Sequence, residues 1–151
     1  MEDDPTPGEI VILASGTMIF IFSFFTWLDF GPVDRTAWDD GSFPLHTLPV
    51  VLGLVMATQI ALDRFGAPEF PNEVAGFTWP QLHLVLGAVA ALNMIALFIT
   101  TTLDGDPPDL AFGFWFSLLG SLGLFVGAVM LHRDTPTGGS RAGGQEPPGM
   151  P

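Results

Sequence analysis

His83 and His132 come closest to a reactive pair in this chain. On the helices expected below they fall at one membrane face, where Asp63 or Asp134 could join them. Two imidazoles and a carboxylate would start a zinc site, which needs three protein ligands and a water or four protein ligands. The remaining ligands are missing, and histidines near helix ends also serve as interfacial residues. His46 falls at the opposite face, too far away to help. A membrane haem would want histidines deep in the bilayer on facing helices. No metal and no cofactor is expected.

Asp104, Asp106 and Asp109 could hold a hard cation such as calcium. They lack the alternating ligands and distal glutamate of an EF-hand loop. A solvated acidic turn, with Asp109 capping the next helix, explains the same residues. There is no cysteine, so disulfides and thiol chemistry are excluded. Neither a Ser-His-Asp order nor a phosphate-cradling glycine loop is present. The sequence therefore leads us to expect no enzyme.

These residues sit among long apolar runs. The clearest opens at Thr78-Trp79-Pro80-Gln81. A hydroxyl three residues before a glutamine is a capping box, and the proline falls in the first turn, where a missing N–H costs nothing. From Leu82 to Thr101 no residue carries a formal charge. About twenty such residues suffice to cross a hydrocarbon core of ~30 Å. Four spans are expected, at about residues 10–28, 45–62, 80–102 and 110–131. Residues 1–9 read as an acidic mobile tail, and residues 135–151 as a disordered Gly/Pro-rich tail. The second helix starts either near Pro44 with a kink at Pro49, or at Thr47. Trp27 and Trp79 read as interfacial rings, with His83 as a third interfacial residue.

Composition agrees with a membrane protein. Hydrophobic residues make up 48% of the 151, and charged residues 13%, against about 25% in a soluble domain. Lysine is absent, and four arginines face sixteen acids, for a net charge of -12. That balance excludes nucleic acid as a partner, because little is available to neutralise phosphates. The acidic start does not resemble a signal peptide.

Two groups inside the spans draw interest. Gln59 and Asn93 are amides at membrane depth, costly unless partnered. They either join helices by a hydrogen bond, worth ~0.6–2 kcal/mol, or line a path. On the fourth span Gly113, Ser117, Gly120, Ser121, Gly127 and Ala128 share one face, with Leu124 among them. Small residues let helix backbones approach closely in lipid. The face either packs within the bundle or meets a second protein.

The strings Ala14-Ser15-Gly16, Ser23-Phe24-Phe25-Thr26-Trp27 and Gly76-Phe77-Thr78-Trp79-Pro80-Gln81-Leu82-His83 carry a resemblance, as does Gly113-Phe114-Trp115 with its glycine-rich continuation. Together they resemble functionally uncharacterised four-span membrane proteins of actinobacteria. The resemblance implies a bacterial plasma-membrane protein and carries over no catalytic residue.

The fold expected is an all-α, integral membrane four-helix bundle. Arg64, Arg133 and Arg141 lie on the side of the tails and second loop, against Arg35 on the other, which puts both termini in the cytoplasm. The function expected is a non-enzymatic accessory or scaffold subunit. Its partners would be the lipid bilayer and a second membrane protein or another copy of itself. The alternative is a small transporter or channel component acting as an oligomer.

Overall fold

The computed structural model describes residues 4–39, 44–66, 71, 73–103, 105 and 107–134. Four helices dominate them: α1 (Pro7–Phe22), α2 (Leu48–Arg64), α3 (Trp79–Leu103) and α4 (Phe112–Asp134). Five strands of two residues each lie in the connections: β1 (Leu28–Asp29), β2 (Asp34–Arg35), β3 (Glu73–Val74), β4 (Phe77–Thr78) and β5 (Asp109–Leu110).

The run Thr6-Pro-Gly-Glu9 starts α1. Glu9 Oε2 accepts the Thr6 N–H at 2.7 Å, and Thr6 Oγ1 accepts the Glu9 N–H at 3.4 Å. This is a capping box with proline at the first helical position. The tail expected through Glu9 is corrected accordingly, since residues 6–9 build the helix start.

The first apolar run also ends earlier than expected, at Phe22 rather than residue 28. The Ser23 hydroxyl donates to the Phe20 carbonyl at 2.7 Å. Trp27 folds back, and its Nε1–H donates to the Phe22 carbonyl at 3.0 Å. Side chains thus satisfy carbonyls that the last helical turn leaves open. Trp27 is 0% exposed and packs edge-on against Phe114. The expectation of an interfacial Trp27 is wrong, because its ring and its N–H both serve the interior.

Strand β1 is central to a small antiparallel sheet ordered β2-β1-β5, with Leu28 opposite Arg35 and Leu110. The sheet ties the α1–α2 connection to the α3–α4 connection. Backbone bonds from Ala111 N–H to the Trp27 carbonyl and from Gly113 N–H to the Thr26 carbonyl extend the tie into α4. Asp109 pairs with Asp29 in this sheet, and α4 begins only at Phe112, so Asp109 does not cap that helix. Asp104 and Asp106 lie outside the described residues.

Helix α2 begins at Leu48 with Pro49 in its first turn, the later of the two expected starts. At the opposite end from the sheet, β3 and β4 form a hairpin turned by Ala75 and Gly76, both at positive φ. It leads directly into α3. The Gln81 side chain accepts the Thr78 N–H at 3.0 Å, as the sequence predicts.

The main helix contacts are α1 against α4 and α2, and α3 against α4 and α2, with a smaller contact between α2 and α4. Small residues set the distances. A Cβ at Gly8 would lie 2.8 Å from the Leu131 backbone nitrogen, and one at Gly16 would lie 2.7 Å from the Gly53 carbonyl oxygen. Both partners are backbone, so α1 meets α4 and α2 with the main chains nearly touching. Ile12, Ile19, Met56, Ala90, Met94 and Leu124 fill the space between. Because Gly8 meets Gly127 and Leu131, the start of α1 and the end of α4 lie at one end of the bundle.

Helices α3 and α4, of 25 and 23 residues, are long and apolar enough to cross a membrane. Helix α1, apolar but of 16 residues, rises about 24 Å.

Candidate functional site

A partly buried ion pair joins the start of α1 to the end of α2. Glu9 is placed by the capping box. Arg64 sits in the last turn of α2, where a cation complements the helix dipole. It donates to Glu9 Oε2 across the two helices. Burial pushes the Glu9 carboxyl up. The hydrogen bonds from Arg64 and Thr6 and the charge of Arg64 outweigh that, holding it below its ordinary value.

His83 lies one turn into α3. It is 2% exposed, so its expected interfacial position is corrected to a buried one. Its ring faces Trp79 at 6.4 Å between centroids. The Trp79 indole N–H donates to the Pro71 carbonyl at 3.0 Å. Neither ring nitrogen of His83 has a hydrogen-bond partner among the described residues. An unmet buried donor or acceptor costs about 1–3 kcal/mol. Beside Arg64, a cleft of about 520 Å³ opens between Asp4, Pro5, Leu13, Ala61, Asp63 and Phe65.

The other expected residues distribute as follows. Gly113, Ser117, Gly120, Ser121, Gly127 and Ala128 are all buried within the chain. At Gly120 a Cβ would meet Ile19 of α1 at 2.6 Å, and at Gly127 it would meet Ile12 at 2.8 Å. The small face therefore packs on α1 of the same chain. The hydroxyls of Ser117 and Ser121 have no partner among the described residues. Asn93 donates from Nδ2 to the Leu45 carbonyl at 2.8 Å, just ahead of α2. Gln59 is half-buried and lines a shallow groove with Leu54, Val55, Thr58, Leu62 and Trp79.

His132 is exposed at the end of α4, whereas His83 is buried in α3. Among the described residues no three His, Asp or Glu side chains converge as metal ligands. His46 packs against Trp27 near the sheet, with its Nδ1 buried and unpartnered.

Sequence reasoning missed the Glu9–Arg64 pair and the burial of His83. The first had a visible signal, a threonine three residues before a glutamate with proline between. The second had none, because α3 is apolar on every side.

No family model, no curated protein and no solved structure matches the chain.

Proposed function

We propose that this chain is an integral, multi-pass protein of the bacterial plasma membrane, acting as a non-enzymatic accessory or scaffold subunit. One observation carries the reading. All four helices turn large apolar side chains outward, among them Ile21, Val55, Leu92 and Leu119, while their small residues face in. Exposed apolar surface of that extent needs an apolar neighbour. In lipid, close backbone packing replaces hydrophobic burial as the force between helices.

The short α1 is compatible with this reading. Phe24 and Phe25, both exposed, continue the apolar band past its end. Orientation follows the arginines: Arg64 and Arg133 lie at the end where α1 starts, and Arg35 lies in the sheet at the other. The positive-inside rule then puts the α1 start and the α4 end in the cytoplasm. The resemblance to actinobacterial four-span proteins supports the plasma membrane as the location. Since the small face is spent on α1, a protein partner or second copy would bind through the outward faces.

Single cysteines at Asp34 and Asp134 test the topology in this cysteine-free chain. An impermeant thiol reagent applied to intact cells should label the first alone. Labelling of Asp134→Cys but not Asp34→Cys would reverse the orientation, and recovery of the chain in the soluble fraction would end the membrane reading. Purification in mild detergent tests the accessory role, which predicts a stoichiometric membrane-protein companion or a defined oligomer.

A small transporter is the second reading. It draws on the buried, unpartnered polar atoms of His83, Ser117 and Ser121, which an inert core has no need of.

A further inference from the structure

Asn93 fixes a height in the bundle. Its Nδ2 donates to the Leu45 carbonyl at 2.8 Å, so the turn that leads into α2 lies level with Asn93 of α3. Helix α3 does not stop there. It runs on to Leu103, a further rise of about 15 Å. Met94 to Ile99 are all apolar, and Ile95 and Ile99 are exposed. Thr100 and Thr102 turn their hydroxyls back onto the Ala96 and Phe98 carbonyls, which removes their need for water.

Helix α4 keeps pace with this end of α3. The Trp115 ring lies 5.8 Å from that of Phe98, and both Trp115 and Phe112 are exposed. Two neighbouring helices thus raise an apolar wall beyond the level of Asn93, and an exposed wall of that kind needs an apolar neighbour. On the α2 side the helix begins only at Leu48, and residues 44–47 before it form a turn. Irregular backbone at membrane depth is tolerated where protein buries it or where it lines water. Protein does not bury this turn, because Pro44 is exposed and Leu45 is 56% exposed. The turn also holds two buried polar atoms, His46 Nδ1 and Thr47 Oγ1, without a partner among the described residues. Ordered water meets such atoms where it can reach them.

We propose that water fills a notch between the start of α2 and the far part of α3, open at the sheet end of the bundle and reaching down to Asn93. The apolar residues Met94 to Ile99 set its depth, about 9 Å. The notch rests on the reading of α3 and α4 as membrane spans. It adds an aqueous inlet, by which a small polar solute would reach the Asn93 amide from that face.

Spin labels on single cysteines in this cysteine-free chain, in lipid nanodiscs, test the notch. Relaxation by a water-soluble nickel chelate reads aqueous contact, and relaxation by oxygen reads lipid contact. Leu45 and Leu92 stand at one height, since Leu92 adjoins Asn93, and Leu92 is 65% exposed. Ile99 stands further out, and Val126 on α4 serves as the lipid reference; both are exposed, so no cysteine disturbs the core. The label at Leu45→Cys should respond to nickel several-fold more than the label at Leu92→Cys. Those at Leu92→Cys and Ile99→Cys should respond to oxygen, as at Val126→Cys. Lipid contact at Leu45→Cys overturns the notch. Aqueous contact at Ile99→Cys, with lipid contact kept at Val126→Cys, also overturns it, because the end of α3 then projects from the bilayer. Aqueous contact at Val126→Cys as well would sink the membrane reading itself.

Discussion

The Asn93 amide on α3 donates to the Leu45 carbonyl at 2.8 Å, so a side chain from the middle of one helix satisfies the backbone that leads into another. The bond holds α3 to the start of α2. Asn93→Leu should lower thermal stability by ~0.6–2 kcal/mol. Melting of the detergent-solubilised protein measures it. A variant as stable as wild type would show that the bond contributes nothing.

Gly120 should not tolerate a large side chain. Its missing Cβ leaves room for Ile19, and the Ser15 carbonyl lies 3.2 Å from where that Cβ would be. Gly120→Leu must separate α4 from α1, at a cost of about 1–3 kcal/mol or more. Leu119, 59% exposed, should accept Leu119→Ile with little change. The structure puts the damage inside the bundle, so Gly120→Leu should lower its melting temperature. Loss of a companion protein with an unchanged melting temperature would contradict the packing described.

Trp27→Phe separates two views of that residue. An interfacial ring would lose little by the change. A buried indole loses its bond to the Phe22 carbonyl, which keeps the Phe25 N–H at 3.3 Å, so the change costs one net hydrogen bond, about 0.5–1.5 kcal/mol. Chemical denaturation in mixed micelles should show a loss in that range. Wild-type stability would mean that the indole bond contributes nothing to the fold.

Acid should weaken the join between α1 and α2. Glu9 is held below its ordinary value of 4.5 in the folded protein. Its contribution is therefore complete above the unfolded value and is lost as pH falls through the lower folded one. Stability measured from pH 7 downward should drop more steeply in wild type than in Glu9→Gln once pH passes below 4.5. Parallel curves for the two would remove Glu9 from the account.

What could be read in the sequence follows from what local rules determine. The start of α3 was legible because Thr78 and Gln81 obey a rule of fixed spacing. The small face of α4 was legible because it repeats at helical period. Thr6 and Glu9 obey the same spacing rule as Thr78 and Gln81, but they were hidden in an acidic stretch read as a tail. Trp27 was ambiguous by nature, since an indole serves a membrane boundary and a buried carbonyl equally well. The sheet was beyond reach: strands of two residues show no alternation, and Leu28 finds Leu110 from far along the chain. Which side of α3 turns inward was also illegible, because a helix apolar all round carries no stripe. His83 therefore gave no sign of being buried.

The closest companion of the first helix is the last. Gly8 and Gly16 prepare α1 for near contact, and its larger interface waits on residues beyond Phe112. At about 5–20 residues per second of translation, α1 is made roughly 5–20 seconds before α4 exists. During that interval α2 can occupy one side of it, and the side that meets α4 has no partner from the chain. A ribosome stalled after α3 would leave α1 without α4 and the sheet without its third strand, β5. Assembly of this bundle is thus a closing of a circle, completed only when the chain's end returns to its beginning.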